Sequence, residues 1–358
     1  MDTEPIYLYI LSCLPVKDIS LIDSWRNKLG SFYKIYYATD QELIKLGWPN
    51  LLLTKWLQTK KDYDPQTILA QCAESDIQLL SYFSTNYPKL LRALHDPPPV
   101  LFYRGSPLSA DEACIGIVGT RNISSYGKSI ISKITAPLIQ SKCTIVSGLA
   151  CGVDAAAHQE AVNKQSRTIA VLGSGLDDHT IYPRHHVSLA HQILTHDGTL
   201  ISEHPPLTPA FKQHFVARNR IIAGLSLGTI VVECKQKSGA LITTDYTIDL
   251  GRPVFAVPGP IYSPTSEGPN NLIKQGAILI TSGTDALKEL QLQITQPTNI
   301  ELTEVELRVL ECMQSNPSTI DALSQTTHLG ADEIMGIVSG LELSGVIRNL
   351  GAEGFIKV

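Results

Sequence analysis

Between residues 113 and 290, short apolar runs recur, each followed by a stretch with apolar residues three and four positions apart. The runs are 114–118, 144–147, 168–172, 199–202, 229–233, 254–257 and 277–280. Most are continuous rather than alternating, as strands buried on both faces of a parallel sheet must be. The stretches between and after them, 127–141, 154–163, 187–196, 216–225, 243–250, 270–275 and 284–292, predict helices. Pro137 is expected to kink or shorten the first of these. Strands alternating with helices define an α/β domain with a doubly wound, mostly parallel sheet. Ligands of such sheets sit beyond the carboxyl ends of the strands, so the loops there are the candidate site.

The flanks read differently. Residues 1–62 carry helical spacing in "PIYLYILSCL", "SLIDSWRNKLGSFYKIYYA" and "DQELIKLG", with Asp40 as the expected N-cap of the last and Gly47 and Pro49 as its stop. Residues 66–112 bridge to the sheet. "IQLLSY" is a short strand candidate, "PKLLRALHDPPP" reads as a helix stopped by prolines, and Val100–Tyr103 as a strand. After a linker at 293–300, the tail predicts helices at 303–314, 319–326 and 331–345, then short strands in "VIRNL" and "GFIKV". Three helices and a hairpin are the pattern of a winged helix.

An apolar fraction of 43 % and a charged fraction of 18 % belong to an ordinary globular protein. No apolar run reaches the ~18–20 residues that span a bilayer, and the first thirty residues do not have the pattern of a secretory signal. The expected location is cytoplasmic. Seven cysteines without a C-x-x-C pair read as free thiols rather than disulfides or zinc ligands. The net charge of −5 excludes a uniformly basic surface but permits one basic cleft.

Taken in turn, the loops carry a consistent chemistry. After 114–118 come Gly119, Thr120 and Arg121, then Ser124, Ser125 and Gly127 ahead of a helix. This is either an anion cradle at a helix start or a capped turn with a solvated arginine. "SGLACGVDAAAH" follows 144–147, with glycines at 148 and 152 for close approach and Asp154 as the expected helix cap; His158 reads as lining, core or surface. "LGSGLDDHTIYPRHH" holds two glycines of a dinucleotide fingerprint without the third. Its Asp177, Asp178, His179, His185 and His186 match no established metal spacing, so a polar loop is expected there, with Arg184 as the useful charge. From His204 to Val232 there is no Asp or Glu. In that stretch "FKQHFVARNRIIAGLS" crowds Lys212, Arg218, Asn219 and Arg220 around Phe215. Cations beside an exposed ring suit single-stranded nucleic acid; the alternative is a core phenylalanine with solvated arginines. Lys235, Lys237, Ser238 and Gly239 precede the next helix, and a Gly/Pro-rich loop at 258–276 is placed to cover the cleft. Glu233, ending its strand, is the one candidate catalytic carboxylate and reads equally as a structural strand-end acceptor.

These residues resemble the bacterial DNA-processing protein A family, also called DprA or Smf. The resemblance covers nearly the whole chain and is strongest from Tyr87 to Asp285. It is carried by "YPKLLRALHDPPPVLFYRG", "GIVGTR", "SGLACGVDAAAH", "TIAVLGSGLD", "LISEHPP", "RNRIIAGLS", "QKSGALITT", "GRPVFAVPG" and "NNLIKQGA". It implies an extended Rossmann-like domain at 66–295, a helical SAM-like domain at 1–65 and a winged helix at 300–358. It implies single-stranded DNA binding without a cofactor or metal, a homodimer formed through the Rossmann-like domain, no membrane, no catalysis, and help in loading the recombinase RecA in natural transformation. The matching motifs assign DNA contacts to Gly119, Thr120, Arg121, Ser147, Gly148, Arg184, Phe215, Arg218, Asn219 and Arg220, and more weakly to Lys235, Lys237, Ser238 and Gly239.

The chain departs from the family pattern in places. Cys151 stands where SGLARGID has an arginine, Val216 where proline is common, and His204 where a tyrosine is usual. Residues 301–358 carry nine acids against three bases, and the expected third helix holds Asp332, Glu333 and Glu342 without a Lys or Arg. Duplex DNA would repel it, so a protein-contact or regulatory module is expected. An enzymatic alternative is a nucleoside-monophosphate phosphoribohydrolase of the lysine-decarboxylase-like Rossmann group. "AGLSLGTIVVE" echoes its loop without the Pro-Gly-Gly, and Arg220 and Glu233 would be its catalytic pair.

Overall fold

The computed structural model describes residues 3–16, 18–108, 113–294, 303–313, 317–343, 346–351 and 354–357. They form two compact units, Met1–Thr295 and Gln296–Val358. All seven cysteines are free thiols. Among the described residues no helix is long and apolar enough to cross a membrane.

The first unit opens with six helices: α1 Glu4–Ser12, α2 Ile19–Leu29, α3 Phe32–Tyr37, α4 Asp40–Lys45, α5 Asn50–Asp62 and α6 Pro65–Glu74. Gly30, at φ 95°, breaks "SLIDSWRNKLGSFYKIYYA" into α2 and α3. Thr39 rather than Asp40 caps α4, because its hydroxyl accepts from the Glu42 amide while Glu42 reaches back to the Thr39 amide. The stretch assigned to a bridge starts as a helix, since Pro65 sits in the first turn of α6 and Asp64 accepts from Thr67. Ile6, Trp25 and Trp56 share one hydrophobic core with Phe102, Leu149 and Leu200 of the sheet region, so the helices are welded to one sheet face.

The sheet has nine strands: β1 Gln78–Ser81, β2 Val100–Gly105, β3 Cys114–Val118, β4 Thr144–Ser147, β5 Thr168–Val171, β6 Thr199–Ser202, β7 Thr229–Val231, β8 Val254–Ala256 and β9 Ile278–Leu279. Their order is β1-β2-β6-β5-β4-β3-β7-β8-β9. The pairs from β6 through to β9 are parallel, and β2 is antiparallel to both β6 and β1. Every residue of β3 to β8 is buried, which is why those segments read as continuous apolar runs.

Helices cover both faces: α7 Ser125–Gln140, α8 Val153–Asn163, α9 Val187–Thr195, α10 Lys212–Leu225, α11 Gly239–Asp249, α12 Glu267–Lys274 and α13 Gly283–Glu289. Pro137 does not shorten α7, which runs on to Gln140 with Ile134 and Leu138 buried on either side of it. "PKLLRALHDPPP" makes only a 3-10 turn, Leu91–Ala93. Buried Tyr87 ties the two ends of this segment together, its hydroxyl donating to the Pro98 carbonyl at 2.8 Å. The chain winds outward from β3 through β4 and β5 to β6, then returns to β7 on the other side of β3. That reversal is the switch point at which open α/β sheets part to admit a ligand.

The second unit is a small winged helix: α14 Glu304–Cys312, α15 Ile320–Thr327, α16 Ala331–Leu343 and a hairpin of β10 Ile347–Asn349 with β11 Phe355–Lys357. Val309, Leu323, Ile334, Val338, Leu341 and Ile347 form its core.

Candidate nucleic-acid interface

At the switch point the loops after β3 and β7 and the start of α10 enclose a cleft of about 780 Å³. Its lining carries five basic residues, Arg121, Lys212, Arg218, Lys235 and Lys237, against one acid, Asp154. A chain of net charge −5 thus gathers cations on one concave rim. Gly119, Thr120, Phe215, Asn219, Ser238 and Gly239 complete the set of expected residues that meet there.

The loop after β3 is held rigidly. The Thr120 amide donates to the Glu233 carbonyl at 2.6 Å, and the Thr120 carbonyl accepts from Val153 at 3.1 Å. Gly152, at φ 80°, opens α8, and a side chain there would run into the Thr120 carbonyl. Arg121 is left exposed, with its guanidinium carbon 5.7 Å from the centre of the Phe215 ring.

Of the two readings of the α7 start, the capped turn is the one found: the Ser124 hydroxyl accepts from the Gly127 amide at 3.0 Å, and a side-chain carboxyl occupies the place of a ligand anion. Buried Glu233 accepts from the Ser124 amide at 2.9 Å, the Ser124 hydroxyl at 2.6 Å and the Thr265 hydroxyl at 2.9 Å. A carboxylate from β7's end therefore takes the place expected for a ligand phosphate. Ser147 is also withdrawn, because it is buried and donates to the Ile117 carbonyl at 2.6 Å. Asp154 does not cap α8; it turns back to accept from the Gly148 amide at 3.1 Å.

Asp154 does this beneath Arg218, which is only 5 % exposed. Arg218 donates to the Val171 carbonyl at 2.5 Å. Burial brings its pKa down to about 10 although Asp154 favours its charge, and burial likewise raises that of Asp154. Arg218 is therefore a fixed cation in the cleft floor, and the alternative of a solvated arginine at this helix start does not hold for it. Asn219 is buried too and donates to the Gly239 carbonyl at 3.1 Å, joining α10 to α11.

Phe215 is half-buried, with one part of its ring in the cleft. Arg218 stands 5.9 Å from its centre, and the ring of Tyr182, 49 % exposed, lies 5.7 Å away. Tyr182 lines the cleft too; it belongs to the Ile-Tyr-Pro motif ahead of Arg184, to which the sequence reading assigned no contact of its own. Lys212, Lys235 and Lys237 are exposed on the rim.

Two expected residues lie elsewhere. Arg184 is exposed and donates to the Asp178 carbonyl at 2.5 Å, and Arg220 pairs with the Glu203 carboxylate. Arg220 and Glu233, the pair of the enzymatic alternative, thus have separate partners. Gly148 lies directly beneath Arg218.

The fold and the cleft define a Rossmann-like protein with a cationic, aromatic-bearing cleft at the carboxyl edge of its sheet. The profile of DNA recombination-mediator protein A matches residues 78–291, and that of the DprA winged helix domain matches 293–352. The chain belongs to the DNA recombination-mediator protein A family. It is 44 % identical to DNA processing protein DprA of Bacillus subtilis over 64 % of this chain and 78 % of that protein. It is 32 % identical to Protein Smf of Synechocystis over 84 % of this chain and 85 % of its relative. The solved structure of DprA from Streptococcus pneumoniae superposes with a TM-score of 0.68 at 32 % identity, covering 81 % of this chain and 98 % of that one. DprA from Helicobacter pylori, described with a single-stranded DNA binding mode, superposes at 0.53 with 28 % identity over 60 % of this chain and 95 % of that one.

Proposed function

We propose that this chain is a recombination mediator that binds single-stranded DNA in the switch-point cleft. The observation that carries the reading is the half-buried Phe215 ring flanked by Arg121 and Arg218 within a rim of three exposed lysines. Phosphates follow the cations, and a base stacks on the ring. The Helicobacter pylori relative, described for its single-stranded DNA binding mode, supports the choice of ligand. On the family resemblance, the proposal extends to transfer of the strand to RecA in natural transformation, a homodimer formed through the Rossmann-like domain, and a non-catalytic role. It also takes in the division into a SAM-like segment at 1–65, a sheet domain at 66–295 and a winged helix at 300–358. The acidic winged helix acts in protein contacts rather than on duplex DNA.

The test is fluorescence anisotropy with single- and double-stranded oligonucleotides over a salt series. Tight binding of the single strand is expected, with affinity falling by ~0.7 log units per log unit of salt for each phosphate neutralised. Equal affinity for duplex, or affinity that does not change with salt, would overturn the reading.

A further inference from the structure

Beside the cleft, two loops distant in sequence bring three soft or borderline donors together. The loop after β4 supplies Cys151, and the 3-10 turn Arg184–His186 ahead of α9 supplies His185 and His186. One donor atom from each lies within 4.8 Å of the other two. The Cys151 sulfur is 3.6 Å from His185 Nε2. With Zn–S of about 2.3 Å, Zn–N of about 2.05 Å and a tetrahedral angle of about 109°, two such ligands on one ion stand about 3.6 Å apart.

The His186 tautomer points the same way. Its Nδ1 is 2.8 Å from the Leu149 carbonyl. A carbonyl only accepts, so Nδ1 carries the proton and Nε2 keeps a free lone pair. A ring N–H anchored on a backbone carbonyl is the usual support of a metal-binding imidazole. The site is reachable, since His185 is exposed and Cys151 and His186 are half-buried.

We propose that Cys151, His185 and His186 bind one zinc ion, or another thiophilic divalent ion, with the fourth coordination position open to solvent. One thiolate and two imidazoles select such ions over magnesium or calcium. On binding, the sulfur–metal bond forms as the thiol proton passes to solvent. The ion would join the segment carrying Ala150 to that carrying Tyr182, both of which line the cleft. The proposal does not depend on what the cleft binds. The loop of 172–186 offered no ligand set by itself because Cys151 comes from another loop.

The test is anaerobic titration of the reduced, metal-free, full-length chain with Co²⁺. One cobalt per chain is expected, with the visible bands of tetrahedral cobalt and a sulfur-to-cobalt charge-transfer band, all displaced by Zn²⁺. Cys151→Ala should abolish the charge-transfer band, and His186→Ala should weaken binding at least about tenfold. No charge-transfer band in the wild type, or one that survives in Cys151→Ala, overturns the proposal. A second measurement needs no variant: alkylation of Cys151 in the wild type, followed by peptide mass, should slow when Zn²⁺ is present. Labelling at an unchanged rate overturns the proposal, leaving only a thiol–imidazole hydrogen bond. Strand binding enters neither readout, so a failure of the DNA reading leaves this result intact.

Discussion

The Arg218 guanidinium lies over Gly148 so closely that any side chain at position 148 would occupy its space. The arginine is held by its hydrogen bond to the Val171 carbonyl, and the nearby Asp154 carboxylate favours its charge, so it cannot swing aside without giving up that bond. Gly148→Ala should therefore lower stability by ~1–3 kcal/mol and weaken single-strand binding several-fold. Thermal melting and anisotropy check it. An unchanged midpoint with unchanged affinity would show that the guanidinium moves freely.

Asp154 compensates the buried cation. Asp154→Ala removes the carboxylate that favours the Arg218 charge and leaves the buried Gly148 amide without its acceptor, so it should cost ~1–3 kcal/mol in denaturant titration. The double variant Asp154→Leu, Arg218→Met should recover most of that loss, because neither charge is then buried. A double variant as unstable as the single one would contradict the electrostatic coupling of the two charges.

Phe215 and the lysines should separate in a salt series. Phe215→Ala should lose ~1–3 kcal/mol per stacked base while leaving the salt slope unchanged, since no charge is removed.

Lys235→Glu with Lys237→Glu should instead lower the slope, by ~0.7 for each phosphate that is no longer neutralised, with the melting temperature unmoved because both side chains are exposed. Identical slopes for the wild type and this variant would place the lysines off the DNA path.

Buried His158 and half-buried His204 set a pH dependence. Burial first, then the Arg218 and His186 charges, push His158 down to about 3, and burial with His214 and Arg220 pushes His204 down to about 4. In the unfolded chain both titrate near 6.5. Below that value the unfolded state takes up protons that the folded state refuses. Their contribution is thus complete above ~6.5 and is lost as the pH falls toward the folded values, with each histidine adding at most ~1.4 kcal/mol per pH unit. Urea titrations from pH 7 to 4.5 should show this decline, and His158→Gln should flatten it. A variant with the wild-type slope would remove His158 from the account.

Much of the cleft lining was readable because it depends on short-range pattern. Arg121, Phe215 and Lys237 sit in loops or helix starts beside recognisable strands, and such positions in a parallel sheet converge by topology alone. Glu233 was not readable as the occupant of the α7 start, since its partners Ser124 and Thr265 are far from it in the chain. Nor was the withdrawal of Ser147, whose hydroxyl is taken up by Ile117 on the neighbouring strand. Tyr182 meets Phe215, and Cys151 meets His185, only after separate loops are folded over the same edge.

By itself the sequence determined the alternation of strand and helix, the burial of the central strands and the sign of the charge gathered beyond them. These follow from hydrophobic period and composition within a few residues, which act before any long-range contact exists. Only the tertiary structure decided which cations remain free. Arg218 and Arg121 look alike in the chain, yet one is buried and bonded to the Val171 carbonyl and the other is open to solvent. That difference lies in desolvation and pairing across distant segments, which no local pattern encodes.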